Sequence, residues 1–311
     1  MKKVTEPLSY KEFEQRVYRY TYPFVIETVE KFFKEHQRQL KWLNPGWLVL
    51  GILLLPVFFI GIAFIVLYWS SSSLLITELK RQLKPNHIYK NIFDSISEDF
   101  EFISAQNSGD LDPRDYPIAS YGVPVMAFKS IVQRSPEFNI RYRENLFSIR
   151  SLTYEWVETV GKVETRRRQE VAIAKMLMKP NELSDFDFTW FQKSLFTRSQ
   201  NIQTENKQFN SVFAMKSNDP IKALMVATPY SMETLLKHYR NNISTNLLHL
   251  TKNRNTFKIS FAVSLKGFLI LNYQVTNNHE VVVRNILGDI MGDMYELYSI
   301  IALMAIPPML D

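Results

Sequence analysis

Residues Trp47–Trp69 read WLVLGILLLPVFFIGIAFIVLYW and contain no charged side chain. As one helix this stretch would extend about 34 Å at ~1.5 Å per residue, enough to cross a hydrocarbon core of ~30 Å with some tilt. Gly51, Pro56 and Gly61 are tolerated in membrane helices more than in soluble ones, and Pro56 introduces a kink. Trp47, Tyr68 and Trp69 stand where an interfacial aromatic belt belongs. Two geometries stay open: a helix kinked at Pro56, or a tight re-entrant hairpin bent there, with arms too short to cross unaided. The run starts too far in for a cleaved signal peptide and has no small-residue exit before charged sequence. No second run of this quality follows, which excludes a pump or channel built from many spans.

Charge is unevenly spread. From residue 86 onward, 25 Lys and Arg face 24 Asp and Glu, whereas residues 1–85 hold 12 against 7. The excess lies beside the apolar run, in Lys34, Arg38 and Lys41 before it and Lys80, Arg81 and Lys84 after it. Anionic lipid headgroups explain that placement at about 1 kcal/mol per nearby cation. A nearly neutral large domain argues against nucleic acid as a partner. The chain has no cysteine, which removes disulfides, thiolate metal sites, Cys nucleophiles and Cys-linked lipids.

The spacing predicts an α+β protein: an N-terminal amphipathic helix, one transmembrane helix, then a mixed helix and strand soluble domain. Its divisions are an amphipathic arm over residues 1–45, a transmembrane helix over 46–69, juxtamembrane helices over 70–104 and a soluble domain over 105–311. In the arm, Ser9 and Glu12 have capping-box spacing, and apolar residues from Phe13 to Phe33 recur at helical intervals with a break or bend at Pro23. The arm either packs on the soluble domain, the reading its mixed Lys and Glu polar face favours, or lies in the headgroup plane, and it is also the expected docking element for a partner. A helical pattern covers Ile88 to Ile103, and residues 105–117 form a loop. Strand pairs are expected around Ile140–Ile149 and over 152–163 with 171–178, the latter about a charged turn at Arg166–Arg168. Phe209–Met215 and Phe257–Tyr273 are further strand candidates, the second turning at Lys266–Gly267. Helices follow Asp219, run from Pro229 to about Arg240, and close the chain over His279–Met304.

Candidate chemistry is sparse. Nine glycines leave no phosphate-cradling loop. The five histidines, His36, His87, His238, His249 and His279, show no ligand spacing. Asp185 and Asp187 fall on one side of an extended segment; they would serve a membrane-bound metal-dependent hydrolase, but strand alternation produces the same pattern without any chemistry. Gly288 and Gly292 sit four apart in the last helix, beside Asp289, Asp293 and Glu296, and read as close packing inside the domain. Gly51 and Gly61, ten apart, offer no stripe for helix pairing in the bilayer. The composition therefore points to a membrane-anchored interaction or scaffold protein without cofactor or metal, and not to an enzyme.

Three stretches carry a resemblance to a family. Val171–Met178 is followed by Asp185-Phe186-Asp187-Phe188. Glu205–Phe209 and Phe213 precede Ala223 to Pro229, Met232-Glu233 and Leu235-Leu236. Phe257 to Tyr273 is the third. Together they resemble the bacterial membrane family known as domain of unknown function 3137, over roughly residues 140 to 300. This chain departs from that family in having one clear span where a hairpin of two is common, and in its thin glycine content near Val163, where only Gly161 stands. The resemblance implies an association with LemA-like helical membrane proteins and brings no catalytic residues. It also implies that arm and domain share the inner side, whereas the proximity of Lys41 to the span argues for the arm inside and the domain outside. The cytoplasm is the side adopted for the soluble domain.

Overall fold

The computed structural model of the chain describes residues 8–55, 60–96, 99–121, 123, 129–177, 186–193, 202–241, 245–253, 255–263 and 267–304. Helices come first: α1 (Tyr10–Glu35), α2 (Gln37–Leu40), a 3-10 turn (Lys41–Leu43), α3 (Pro45–Leu54), α4 (Ile60–Leu83) and α5 (Pro85–Ile96). Strands β1 (Phe100–Gln106), β2 (Lys129–Arg134), β3 (Glu137–Tyr142), β4 (Asn145–Val160), β5 (Val163–Leu177) and β6 (Phe188–Gln192) follow. Then come α6 (Lys207–Val212), β7 (Phe213–Ser217), α7 (Pro220–Val226), α8 (Pro229–Asn241), β8 (Thr245–Asn253), β9 (Thr256–Val263) and α9 (His279–Met304). Helices mixed with an antiparallel sheet make the chain α+β. Among the described residues one helix, over Gly61–Leu83, is long and apolar enough to cross a membrane.

The chain divides into two compact units. The helical unit comprises residues 8–98 and 271–295. Ser9 caps α1, its side chain accepting from the Glu12 amide while Glu12 reaches back to the Ser9 amide at 2.9 Å. Phe13, Val17, Thr21, Val25, Val29 and Phe32, three or four residues apart along that stretch, are buried. They share a core with Ile92 and Phe93 of α5, Leu79 and Leu83 of α4, and Val282, Ile286 and Met294 of α9, all with essentially no exposure. Edge-on contacts of Tyr295 with Tyr10 and Phe13, at 5.1 and 5.4 Å, hold the start of α1 on α9.

The sheet unit holds residues 99–270 and the end of α9 from Glu296. Its strands are antiparallel in the order β1-β3-β4-β5-β9-β8-β6-β7, with β2 also paired to β4. β4 and β5 pair from Leu146↔Leu177 to Val160↔Val163. Val171 to Ala174 are buried on both faces, as is the facing run Ile149 to Leu152. One cover is the loop after β1, whose Leu111 and Tyr116 pack on Leu152, Val171 and Ile173. Tyr116 donates its hydroxyl hydrogen to the Ala174 carbonyl at 3.1 Å. Glu137 ties that loop down by accepting from the Asp110 and Leu111 amides, and the missing side chain of Gly109 leaves room for its carboxylate.

Several segments differ from the sequence reading, each for a physical reason. The run Trp47–Trp69 is not one helix; it is shared between α3 and α4, and Pro56 lies outside the described residues. α1 continues through Pro23, which is exposed, because the buried face on either side holds the helix in register. The turn of the long hairpin is Gly161-Lys162, with Gly161 at φ +66°, and not Arg166–Arg168, which lie within β5. The helical pattern starting at Ile88 stops at Ile96, and Phe100 to Ile103 belong to β1. Phe209 is helical, because the Asn206 side chain accepts from its amide at 2.9 Å and starts α6; the strand begins only at Phe213. Of Phe257–Tyr273, only the part up to Val263 pairs as a strand, Lys266 is outside the described residues, and 271–278 carry no regular structure.

Candidate membrane anchor

Asn44 accepts a hydrogen bond from the Gly46 amide at 2.9 Å and so caps α3, with Pro45 in its first turn. α3 then runs back along the start of α4. The Trp47 ring lies stacked on Phe64, 5.4 Å between centroids and 9° between planes. A Cβ on Gly61 would strike the Gly51 carbonyl oxygen and stand 2.8 Å from the Leu55 amide nitrogen. A Cβ on Gly51 would stand 3.0 Å from the Gly61 oxygen. The two backbones touch, so a side chain at Gly61 would have to displace backbone, while one at Gly51 would be a tight fit. The sequence reading assigned these glycines no pairing role; bending the chain between them makes them partners.

The outer faces of this hairpin are apolar and open. Val49, Ile52, Leu53, Val66 and Trp69 are 54, 53, 67, 56 and 65 % exposed. At the base, Trp42 lies 5.2 Å from Trp47 and 6.3 Å from Phe64. Tyr68 and Trp69, edge to face at 6.2 Å, stand at the corresponding level of α4. Trp42 and Phe64 were not singled out from the sequence, although Trp42 sits among the flanking residues of the run.

The basic flank separates into groups. Lys34 and Lys41 are exposed and line, with Phe33, Asn44, Trp47 and His279, a cleft of about 740 Å³ beside the hairpin base. Arg38 and Lys84 are exposed. Arg81 pairs with Glu78 at 2.5 Å on the same helix. Lys80 is turned inward, its Nζ 5.9 Å above the Tyr273 ring.

Of the carboxylate pair named for a hydrolase, only Asp187 is among the described residues; Asp185 lies outside them. The Asp187 amide donates to the Asn218 side chain at 2.8 Å, and its carbonyl accepts from Ser217 at 2.6 Å, which fixes the entry to β6. His249 pairs with Phe191 while Lys252 pairs with Phe188, so Asp187 and His249 are separated by roughly four residues, about 13 Å, along the sheet. The side chain of His238 is not described. Among the described residues no group of three His, Cys, Asp or Glu could hold a metal ion.

Buried polar groups elsewhere serve packing. Lys252 has no exposure, donates to the Phe186 carbonyl at 2.6 Å and places its ammonium 4.5 Å from the Phe186 ring centre. Glu170 accepts from Ser151 and from the Gly267 amide, and burial pushes its carboxyl up. His249 stacks on Phe191 at 5.9 Å; burial, aided by Lys216, lowers its imidazole to about 4. In the helical unit Asp289 accepts from the Asn272 amide at 2.9 Å, and burial raises its carboxyl to about 6 against the pull of that amide and of Lys80. The close packing expected at Gly288 and Gly292 is not seen among the described residues, none of which lies within 4 Å of a Cβ placed at either.

No family model, no curated protein and no solved structure matches this chain.

Proposed function

We propose that this chain is a membrane-anchored interaction or scaffold protein, whose helical unit holds an α+β domain at the cytoplasmic face of an anionic bilayer. The observation that carries the reading is the hairpin: two apolar helices with outward side chains such as Leu53 at 67 % exposure, which soluble surfaces rarely gather in one place. Lys34 and Lys41 at its base suit anionic headgroups. In the sheet unit, the end of the β4–β5 hairpin supports an interaction role. Val157, Val160 and Val163 are 49, 68 and 65 % exposed there, on a two-stranded ribbon beyond the reach of β2. Such a ribbon is marginal alone in water and gains stability from a partner strand or surface. The family resemblance makes a LemA-like helical membrane protein the proposed partner.

The arm is a weaker docking element than its sequence suggests, because α1 already spends its apolar face on α4, α5 and α9. Flotation of the full chain with vesicles tests the anchor. Recovery with phosphatidylglycerol vesicles is expected to exceed that with phosphatidylcholine alone, and L53E with V66E is expected to abolish it. Wild-type chain left at the bottom of the gradient would refute the proposal. Replacing residues 157–166 with a short turn tests the ribbon: flotation is expected to persist while capture of the partner is lost.

A further inference from the structure

The helices on either side of the apolar run pack on each other. Arg16 donates to the Ile96 carbonyl at 3.3 Å, Gln82 donates to Glu35 at 3.0 Å, and the Phe24 and His87 rings lie 5.1 Å apart. A single crossing between α1 and α5 would hold them apart by a hydrocarbon core of ~30 Å. We infer that the α3–α4 hairpin enters one leaflet of an anionic phospholipid bilayer and returns, so that the arm and everything after the hairpin stay on one face of the membrane. The inference rests on the membrane-anchor reading above and adds its depth and topology.

The hairpin has the length for this. The ten residues of α3 and the apolar start of α4, up to Trp69, each rise about 15 Å, half the hydrocarbon thickness. The remainder of α4 is committed elsewhere. Leu75, Leu79 and Leu83 are 2, 0 and 0 % exposed within the helical unit. Drawing them into lipid would strip that core and carry Glu78, Lys80 and Arg81 into hydrocarbon, at several kcal/mol for each charge. Gly61–Leu83 has the length and composition of a span, but one face of its second half, Leu75, Leu79 and Leu83, is already packed.

The belt and the charges agree. In a spanning helix, Trp47 and Trp69 would mark opposite interfaces. Folding back at the level where Gly51 meets Gly61 brings Trp42, Trp47, Tyr68 and Trp69 to the open end of the hairpin, giving one belt for one interface. Lys34 and Lys41 lie at that same end, around a cleft that reaches Trp47, where headgroup phosphates would sit.

The native chain has no cysteine, so single cysteines report cleanly. R19C on α1, D94C on α5, and L53C and L55C near the hairpin tip would be added as full-length chains to preformed phosphatidylglycerol–phosphatidylcholine vesicles. A membrane-impermeant maleimide outside is expected to label R19C and D94C to the same extent and L55C on neither face. A fluorophore on L53C is expected to be quenched more by nitroxide near the lipid chain end than by nitroxide near the headgroup. Labelling of R19C and D94C from opposite faces would overturn the inference in favour of a single crossing. Labelling of L55C from the face opposite R19C would overturn it in favour of a full two-pass hairpin. Flotation without lipid quenching at L53C would overturn it by showing that a protein or a second copy covers the apolar faces. A chain that does not float would refute the membrane anchor itself, and this inference with it.

Discussion

Gly61 meets Gly51 backbone to backbone, close enough that a methyl group on Gly61 would strike the Gly51 carbonyl oxygen. G61A is therefore expected to cost about 1–3 kcal/mol through overpacking. G51A should cost less, because part of what it meets is the Ile65 side chain, at 3.1 Å, which can shift. Thermal unfolding of both variants in detergent would show the order G61A, then G51A, then wild type. A G61A chain as stable as wild type would mean the two helices stand further apart.

At Gly288 and Gly292 the same substitution has the opposite sign. Both lie inside α9, where alanine is a better helix former by about 1 kcal/mol, and among the described residues neither has a neighbour for a methyl group to strike. G288A and G292A should each raise the urea midpoint without changing the slope, and the pair should be close to additive. A loss of stability would reinstate the close packing that the four-residue spacing suggested.

Much of the chain follows from local chemistry visible in the sequence. Ser9 with Glu12, Asp219 with Pro220, and Pro229 mark helix starts, because a cap and a first-turn proline act within four residues. The long hairpin was legible from its apolar alternation, but its turn was misplaced. Three arginines attract attention as a charged tip, while the φ that the turn needs belongs to Gly161. The greatest change is in the apolar run, since periodicity reads a kinked span and a folded hairpin alike. A usable signal was present in the sequence: Gly51 and Gly61 stand five residues on either side of Pro56, a spacing that a hairpin reading could have used. The second clue, that α1 packs on α5, is tertiary and leaves no trace in spacing.

His249 gives the sheet unit an acid sensitivity. Its folded pKa of about 4 lies below its ordinary value of 6.5, so the folded state prefers the neutral ring. That preference contributes fully above pH 6.5, declines as pH falls, and is exhausted near pH 4, because the unfolded chain takes up the proton first. At ~1.4 kcal/mol per unit the loss amounts to about 3 kcal/mol. The stability difference between wild type and H249Q should therefore shrink across this window and stay level above it. A difference that does not vary between pH 4 and 6.5 would show that the ring is hydrated.

Asp289 works in the other direction, in the helical unit. Its carboxyl titrates near 6 when folded, against an ordinary 3.8, so the folded state prefers the protonated form. The favourable contribution is complete below pH 3.8 and is lost as pH rises through about 6, leaving a carboxylate with an ionisation penalty at neutral pH. D289N keeps an oxygen to accept from the Asn272 amide and removes that penalty, at the expense of the attraction to Lys80. Solvent screening of this partly exposed group reduces the expected net gain to about 1 kcal/mol at pH 7.5. Denaturant unfolding should show D289N more stable than wild type at pH 7.5 and the two converging at pH 4. If wild type is instead the more stable at pH 7.5, the Lys80 attraction outweighs burial, and Asp289 holds α4 to α9 as an ion pair.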